Sequence, residues 1–322
     1  MKIIIDNASL RYAEPTGLPT GRCQLQHQPI SLISLMPVTT QQPANAHRLA
    51  IGDFTLTTLI DGQFEAGFGL LSNIDETEAK RLHDASRRPT PPRITLNAYL
   101  LETGQETILI DTGFGPLGGG AGGRLFESLA DAGHAPDDID TVLITHMHPD
   151  HIGGLVDAND QPTMPRARVL VPAGELDYWG GAIPADADDA QTQQFEAAHR
   201  VIAAVGSQIQ HLEGNAVLPG ITRVPLPGHT PDHSGYRIAS GNAQLLLWTD
   251  IVHLPSIQFP NPEATVAFDS DAAQAAETRR RIMSEVAESR EPVAGHHLDF
   301  PGVGYVVADG AGFRWLPHVW TP

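Results

Sequence analysis

A chain of 322 residues is long enough for one large domain or two small ones, and its 41% hydrophobic content permits a sizeable core. With 38 acidic against 20 basic residues and a formal net charge of −18, the balance argues against a nucleic-acid groove, which relies on clustered Lys and Arg, and fits solubility instead. No apolar run approaches the roughly 18 residues of a membrane span, and a single cysteine, Cys23, excludes an internal disulfide framework and any cysteine-rich metal site.

Residues 1–46 are rich in Pro, Gln and Thr and sustain no period, so they read as an N-terminal arm ahead of a domain spanning 47–322. The apolar patch 30–38 followed by Ala44-Asn45-Ala46 has the form of a signal-peptidase site. That patch is short, interrupted by Ser31 and Ser34, and far from the start, so the expectation is a cytoplasmic protein. Residues 54–60 alternate and read as a strand closed by a turn at Asp61-Gly62, and 63–71 carries Phe64 and Phe68 between glycines. A surface helix is expected over 77–88, ended before Pro89, then strands over 94–101 and 107–110. The glycine-rich run 113–123 lacks the Gly-Lys-Ser/Thr of a phosphate loop and reads as a flexible lead into a helix over 124–132.

The apolar run Val142-Leu143-Ile144 then delivers Thr145-His146-Met147-His148-Pro149-Asp150-His151. On an extended backbone His146 and His148 share one side, because side chains alternate. Pro149 breaks the strand, and Asp150 and His151 open a short helix or turn aimed at the same point. Imidazole and carboxylate suit zinc, iron or manganese better than calcium. Two neighbouring ions need about six or seven such donors, so others must come from further along.

Strands are expected at 168–171 and 221–226, a helical turn at 175–179, and a helix at 187–205 whose stripe (Phe195, Val201, Ile202, Val205) has the spacing of a core face. The strand ending at Leu226 delivers Pro227-Gly228-His229-Thr230-Pro231-Asp232-His233, and 245–248 runs into Thr249-Asp250. A helix over 272–287 has Asp269 or Ser270 near its N-cap, residues 292–294 end at Gly295-His296-His297, and a final hairpin occupies 304–316. Each candidate ligand sits just past a strand. The organisation predicts an α/β domain of two sheets flanked by helices, one sheet from each half of the chain, meeting at a metal cleft.

His-x-His-x-Asp-His after a strand resembles the signature of the metallo-β-lactamase superfamily, mostly metal-dependent hydrolases built as an αββα sandwich of two mixed sheets. Leu49 to Phe54, Ile144 to His151, Pro227 to Pro231 and Phe300-Pro301-Gly302 are similar to one branch, that of methyl parathion hydrolase and related aryl-esterase and lactonase-like enzymes. The resemblance implies that His146, His148 and His229 bind one ion, that Asp150, His151 and a last histidine bind a second, and that Asp250 bridges them. For the last histidine, the run His297-Leu298-Asp299-Phe300-Pro301-Gly302 selects His297 and leaves His296 structural. It further implies two divalent ions (zinc, with iron or manganese as alternatives), Asp111 orienting a ligand nearby, and a homodimer. Two positions depart from the branch, which commonly has glycine at Thr249 and at Asp232. The latter adds a carboxylate near His229.

The chemistry expected of such a centre is attack by a metal-bridging hydroxide on an aryl ester, lactone or phosphotriester, with the ions taking up developing charge. No Gly-x-Ser-x-Gly nucleophile elbow is present. Asp250 and Asp150 carry the catalytic assignment, with His253, Tyr178 and His233 as lower-ranked proton donors. The resemblance also implies a substrate pocket walled by Trp179, Phe195 and Phe114, overhung by Phe64 and Phe68. His253 would add a polar group, which ranks aryl esters and lactones above phosphotriesters. Two alternatives are a diiron oxidoreductase of the same fold and a glyoxalase II-type thioester hydrolase. The first typically has Glu at the place of His148 and a flavin-binding extension, whereas nothing follows residue 322; the second would want a basic cluster for its substrate. The expected partner is a small-molecule substrate, with neither nucleic acid nor membrane.

Overall fold

The computed structural model describes residues 45–319. The arm, its signal-like patch and Cys23 therefore fall outside the described residues, save for Asn45 and Ala46.

The first sheet is laid down in chain order. Strands β1 (Ala46–Ile51), β2 (Phe54–Glu65), β3 (Arg93–Glu102) and β4 (Thr107–Ile110) pair antiparallel, and β5 (Thr141–Leu143), β6 (Arg168–Pro172) and β7 (Ile209–Leu212) continue in parallel. Parallel neighbours need crossovers. The helices on this half are α1 (Glu76–Ala85), α2 (Leu125–Asp131), α3 (Pro149–Ile152), α4 (Ala173–Trp179) and α5 (Asp189–Val205). The second sheet is also sequential: β8 (Ala216–Leu218), β9 (Ile221–Pro225), β10 (Ser234–Ser240), β11 (Ala243–Leu247), β12 (Val293–Ala294), β13 (Val303–Asp309) and β14 (Gly312–Pro317). Its one parallel pair, β11 with β12, is bridged by the segment holding α6 (Pro255–Gln258) and α7 (Ala272–Ser289).

Alternation explains the layering. In β3, Leu101 faces the space between the sheets, where Leu56, Ile110 and Leu143 meet Tyr236, Ile238, Leu245 and Leu247. Leu100 points the other way, with Leu109 and Val142, onto Leu125 and Leu129 of α2 and onto Phe195, Ala198, Val201 and Val205 of α5. On the far side Leu246 and Val293 meet Ile282, Met283 and Val286 of α7. The strands are buried on both faces, hence their nearly continuous apolar runs. Each such leucine removed from water contributes about 1.5–3 kcal/mol. The result is the expected sandwich of two mixed seven-stranded sheets flanked by helices, one from each half of the chain.

Local chemistry sets the helix ends. Asp75 caps α1, Asp188 caps α5 through Gln191 N at 2.8 Å, and Asp271 caps α7 through Gln274 N at 3.0 Å. The α7 cap is thus Asp271, directly after the Asp269 and Ser270 expected near it. The expected turn at Asp61-Gly62 is instead a bulge between Ile60 and Gly62, through which β2 continues to Glu65. Asp61 is turned inward and accepts from Phe114 N, Gly123 N and Leu125 N, fixing the glycine-rich loop. Among the described residues no helix is long and apolar enough to cross a membrane.

Candidate metal centre

Strand β5 ends at Leu143, earlier than an extended histidine motif requires. His148 has extended backbone angles as the N-cap of α3, and Pro149 opens that helix. The two side chains nevertheless converge: His146 Nε2 lies 3.2 Å from His148 Nδ1, which lies 2.9 Å from His229 Nε2. His229 arrives from the loop after β9. Its neighbour Gly228 has φ +126, and a Cβ there would sit 2.3 Å from Ala275 N, so glycine lets this loop lie against the start of α7.

Asp250 sits at the centre. Its Oδ2 is 3.0 Å from His297 Nε2, 3.2 Å from His151 Nε2 and from His253 Nε2, 3.3 Å from His229 Nε2 and 3.7 Å from His146 Nε2. It is presented by Thr249, whose φ of +43 is one a β-branched residue rarely adopts. That residue's hydroxyl donates to His233 Nε2 at 2.7 Å. Asp150 lies opposite, its Oδ2 3.5 Å from His297 Nε2, 3.6 Å from His151 Nε2 and 3.8 Å from His296 Nε2. Two donor groups result, one of His146, His148 and His229 and one of Asp150, His151, His296 and His297, with Asp250 between them.

The outer ring nitrogens fix which way the lone pairs point. His151 Nδ1 donates to Asp111 Oδ2 at 2.8 Å, His229 Nδ1 to Asp269 Oδ1 at 2.7 Å and His297 Nδ1 to the Thr95 carbonyl at 2.9 Å. In the neutral rings the Nε2 atoms are therefore acceptors aimed at one another, an arrangement that a cation satisfies and a hydrogen bond does not. His151 Nε2 and Asp250 Oδ1 are buried without a hydrogen-bond partner among the described residues. The donor set thus fits divalent ions. The electrostatics agree. Burial would raise the Asp250 carboxyl, but His151, His297 and His146 hold it well below the usual range. Burial keeps His146 and His148 far below theirs and hence neutral. His229, despite burial, is pushed up to about 9 by Asp250 and Asp269, so the centre favours positive charge.

Four residues that sequence reasoning did not single out for the site hold it in place. Glu175, fully buried at the first turn of α4, accepts from Met147 N (3.0 Å), Trp179 Nε1 (2.9 Å), Thr230 Oγ1 (2.6 Å) and Asp232 N (3.0 Å). It ties the His146–His148 loop to the His229 loop. Asp269 orients His229. Two tyrosines reach across the sandwich: Tyr99 Oη of β3 donates to Gly295 O at 2.8 Å, and Tyr236 Oη of β10 donates to Ile144 O at 2.6 Å. Each sheet thereby anchors the ligand-bearing loop of the other. Asp111 lies as expected, accepting also from Thr145 N and Oγ1. Asp232 does not add free charge near His229, for it pairs with Arg223 and accepts from Gly174 N.

A cavity of about 180 Å³ opens beside Asp250, walled by Phe64, Ile94, Phe114 and Phe268 with His148, Asp150, His253 and His297 among its polar lining. Phe64 and Phe114 meet edge to face at 6.5 Å. Trp179 and Phe195 do not reach this space. Both are 1% exposed; the Trp179 ring backs His148 at 5.3 Å and Phe195 packs behind it at 4.7 Å, in the core beneath α5. The helical stripe holding Phe195 is core, as its spacing implied. Phe68 instead packs on His83. His233 is spent on Leu226 O and Thr249, Tyr178 packs with Trp179 and Phe195, and neither lines the cavity. Phe268 had no signal in the sequence.

Clustered imidazoles and carboxylates at the seam of an αββα sandwich define a metal-dependent hydrolase. Residues 93–288 match the Metallo-beta-lactamase superfamily, and the chain belongs to it. Among solved structures it is similar to AidC, a dizinc quorum-quenching lactonase in complex with a product, N-hexanoyl-L-homoserine. The TM-score is 0.82 and the identity 26%, over 87% of this chain and 99% of that one. It is also similar to the hydrolase AbOPH of the beta lactamase superfamily, with TM-score 0.81 and 26% identity over 88% and 100% of the two chains. An N-acyl homoserine lactonase of Bacillus cereus is 24% identical over 224 residues, which is 62% of this chain and 80% of the relative.

Proposed function

We propose that the chain is a dinuclear lactonase and esterase, with lactones bearing an acyl chain, of the N-acyl homoserine type, as its main substrates and aryl esters next. The observation that carries this reading is the convergence of His146, His148, His229, Asp150, His151 and His297 around Asp250, beside an apolar cavity. His146, His148 and His229 would hold one ion, Asp150, His151 and His297 the other, and Asp250 would touch both. Bound there, the ions would lower the pKa of a shared water toward neutrality and polarise the substrate carbonyl.

The remaining work falls to the chain. Phe64, Phe114 and Phe268 exclude water and take the apolar acyl or aryl group. His253 presents a buried Nδ1 with no partner among the described residues. Burial, against the pull of Asp250, takes its pKa down to about 3, so it is neutral; with Nε2 3.2 Å from Asp250 Oδ2, its Nδ1 can accept from a substrate N–H or O–H. Opening the ring would add one water across the acyl C–O bond, the water's proton reaching the departing alkoxide by way of Asp250, and would leave one hydroxy acid per lactone. The likeness to AidC and to the Bacillus cereus lactonase supports the lactone over the phosphotriester. His148 among the donors supports hydrolysis over diiron redox chemistry.

Zinc-loaded protein should be assayed by pH-stat on N-hexanoyl homoserine lactone, a phenyl ester and an aryl phosphotriester. Lactone kcat/KM should lead, the phosphotriester should be slowest, and chelation should abolish all three. Protein holding two ions that opens no lactone and cleaves no ester would overturn the reading.

A further inference from the structure

We infer that His296 is an additional ligand of the second ion, giving that position one imidazole more than the set proposed above. The inference rests on that dinuclear reading. His296 is fully buried, and neither its Nδ1 nor its Nε2 has a hydrogen-bond partner among the described residues. A ring kept only to fill space would bury two polar atoms that a leucine would not. Its Nε2 lies 3.8 Å from Asp150 Oδ2, against 3.6 Å for His151 and 3.5 Å for His297, so it stands at nearly the same remove from that carboxylate as the other two. All four residues offer donor atoms within 4.8 Å of one another.

The surrounding structure fixes the ring in this attitude. The main-chain N–H of His296 donates to Thr249 O, next to Asp250, and its carbonyl accepts from Asn97 N and Asn97 Nδ2. The ring lies over that of His151, with centroids 4.0 Å apart at 33°, and stands nearly perpendicular to His297 at 87°. Consecutive residues thus turn two imidazoles toward one carboxylate. Asp150, His151, His296, His297 and Asp250 would together offer five protein donors. The first position would have four, His146, His148, His229 and Asp250. Five donors exceed the tetrahedral set that zinc commonly takes and suit ions accepting five or six ligands.

The test titrates the metal-free full chain with Zn²⁺ against a chromophoric chelator and records the visible spectrum of the cobalt(II) form, for wild type, His296→Leu and His296→Asp. His296→Leu should weaken one of the two affinities by about tenfold or more and leave the other unchanged. Its cobalt absorption should intensify as the coordination number falls, and His296→Asp should recover part of the lost affinity. A measurement without substitution stands beside it. Proton NMR of the wild-type cobalt form should show six hyperfine-shifted histidine rings if His296 binds and five if it does not. Two ions with both affinities unchanged in His296→Leu, or five shifted rings, would overturn the role of His296 alone. A wild type that takes up fewer than two ions would overturn the dinuclear reading itself.

Discussion

Replacing Glu175 by Gln exchanges one carboxylate oxygen for an amide nitrogen and changes almost nothing in shape. The carboxylate accepts four hydrogen bonds, two at each oxygen. A Gln amide can keep one oxygen. If its NH2 faced Met147 N and Trp179 Nε1, two fixed N–H donors would lose their acceptor. The better placement turns the NH2 toward Thr230, whose hydroxyl rotates to accept, and leaves only Asp232 N unpaired. One stranded donor costs about 1–3 kcal/mol, and three bonds fall from charge-assisted to neutral strength. Relief of a desolvated charge offsets part of this. The net cost is about 2–4 kcal/mol, or a Tm lower by about 3–7 °C for a chain of this size. Because Met147 and Thr230 flank His146, His148 and His229, the first ion should be lost more readily than the second. Calorimetry of the chelated and zinc-loaded forms, with chelator competition for both ions, reads these effects. An unchanged Tm together with two unchanged affinities would show that Glu175 does not hold the two loops together.

Asp269→Asn keeps a hydrogen bond to His229 but removes the charge, and should weaken the first ion about 10–100-fold in chelator competition while sparing the second; equal loss at both positions would contradict the geometry. Trp179→Ala should cost about 3–5 kcal/mol of stability yet leave the phenyl-to-alkyl ester ratio of kcat/KM unchanged. Phe114→Ala should lower that ratio about two- to tenfold, and the reverse pattern would place Trp179, not Phe114, against the substrate. Light scattering should give twice the mass of one chain, as the sequence resemblance implies, and a single-chain mass would refute the dimer.

Residues 145–151 declare a metal site because four donors within six residues after a strand have few other uses. His229, Asp250 and His297 each stand just past an apolar run, but it is the resemblance to the superfamily that assigns them. Glu175 and Asp269 are not legible. Each is a lone acid in an acid-rich chain, and what distinguishes them is the set of donors that tertiary packing brings to their oxygens. Trp179 and Phe195 mislead because an aromatic near a ligand loop can equally stand behind it as in front. The fold shows in its doubly buried strands, whereas β7 (Ile-Gln-His-Leu) is too short and polar to register and β8 too short, and the bulge in β2 mimics a turn by interrupting alternation. His296 passes as structural because its neighbour fits the motif, and only its two bare nitrogens single it out.

The reciprocal tyrosine contacts bear on how the centre assembles. With the proposed ligands, each ion gathers side chains from both halves of the chain, so its coordination closes loops of about 80 to 150 residues, at a closure cost of about 4 kcal/mol each. Tyr99 and Tyr236 hold the two ligand-bearing loops only when the sheets are docked face to face. An ion therefore meets a complete set of ligands late, after each sheet has formed and the two have joined. Once the sheets are docked, the cavity beside Asp250, lined by His148, Asp150 and His297, offers a route in and out that leaves that junction closed. Refilling of the centre after unfolding should then wait on docking of the two sheets, whereas exchange in the folded chain should not.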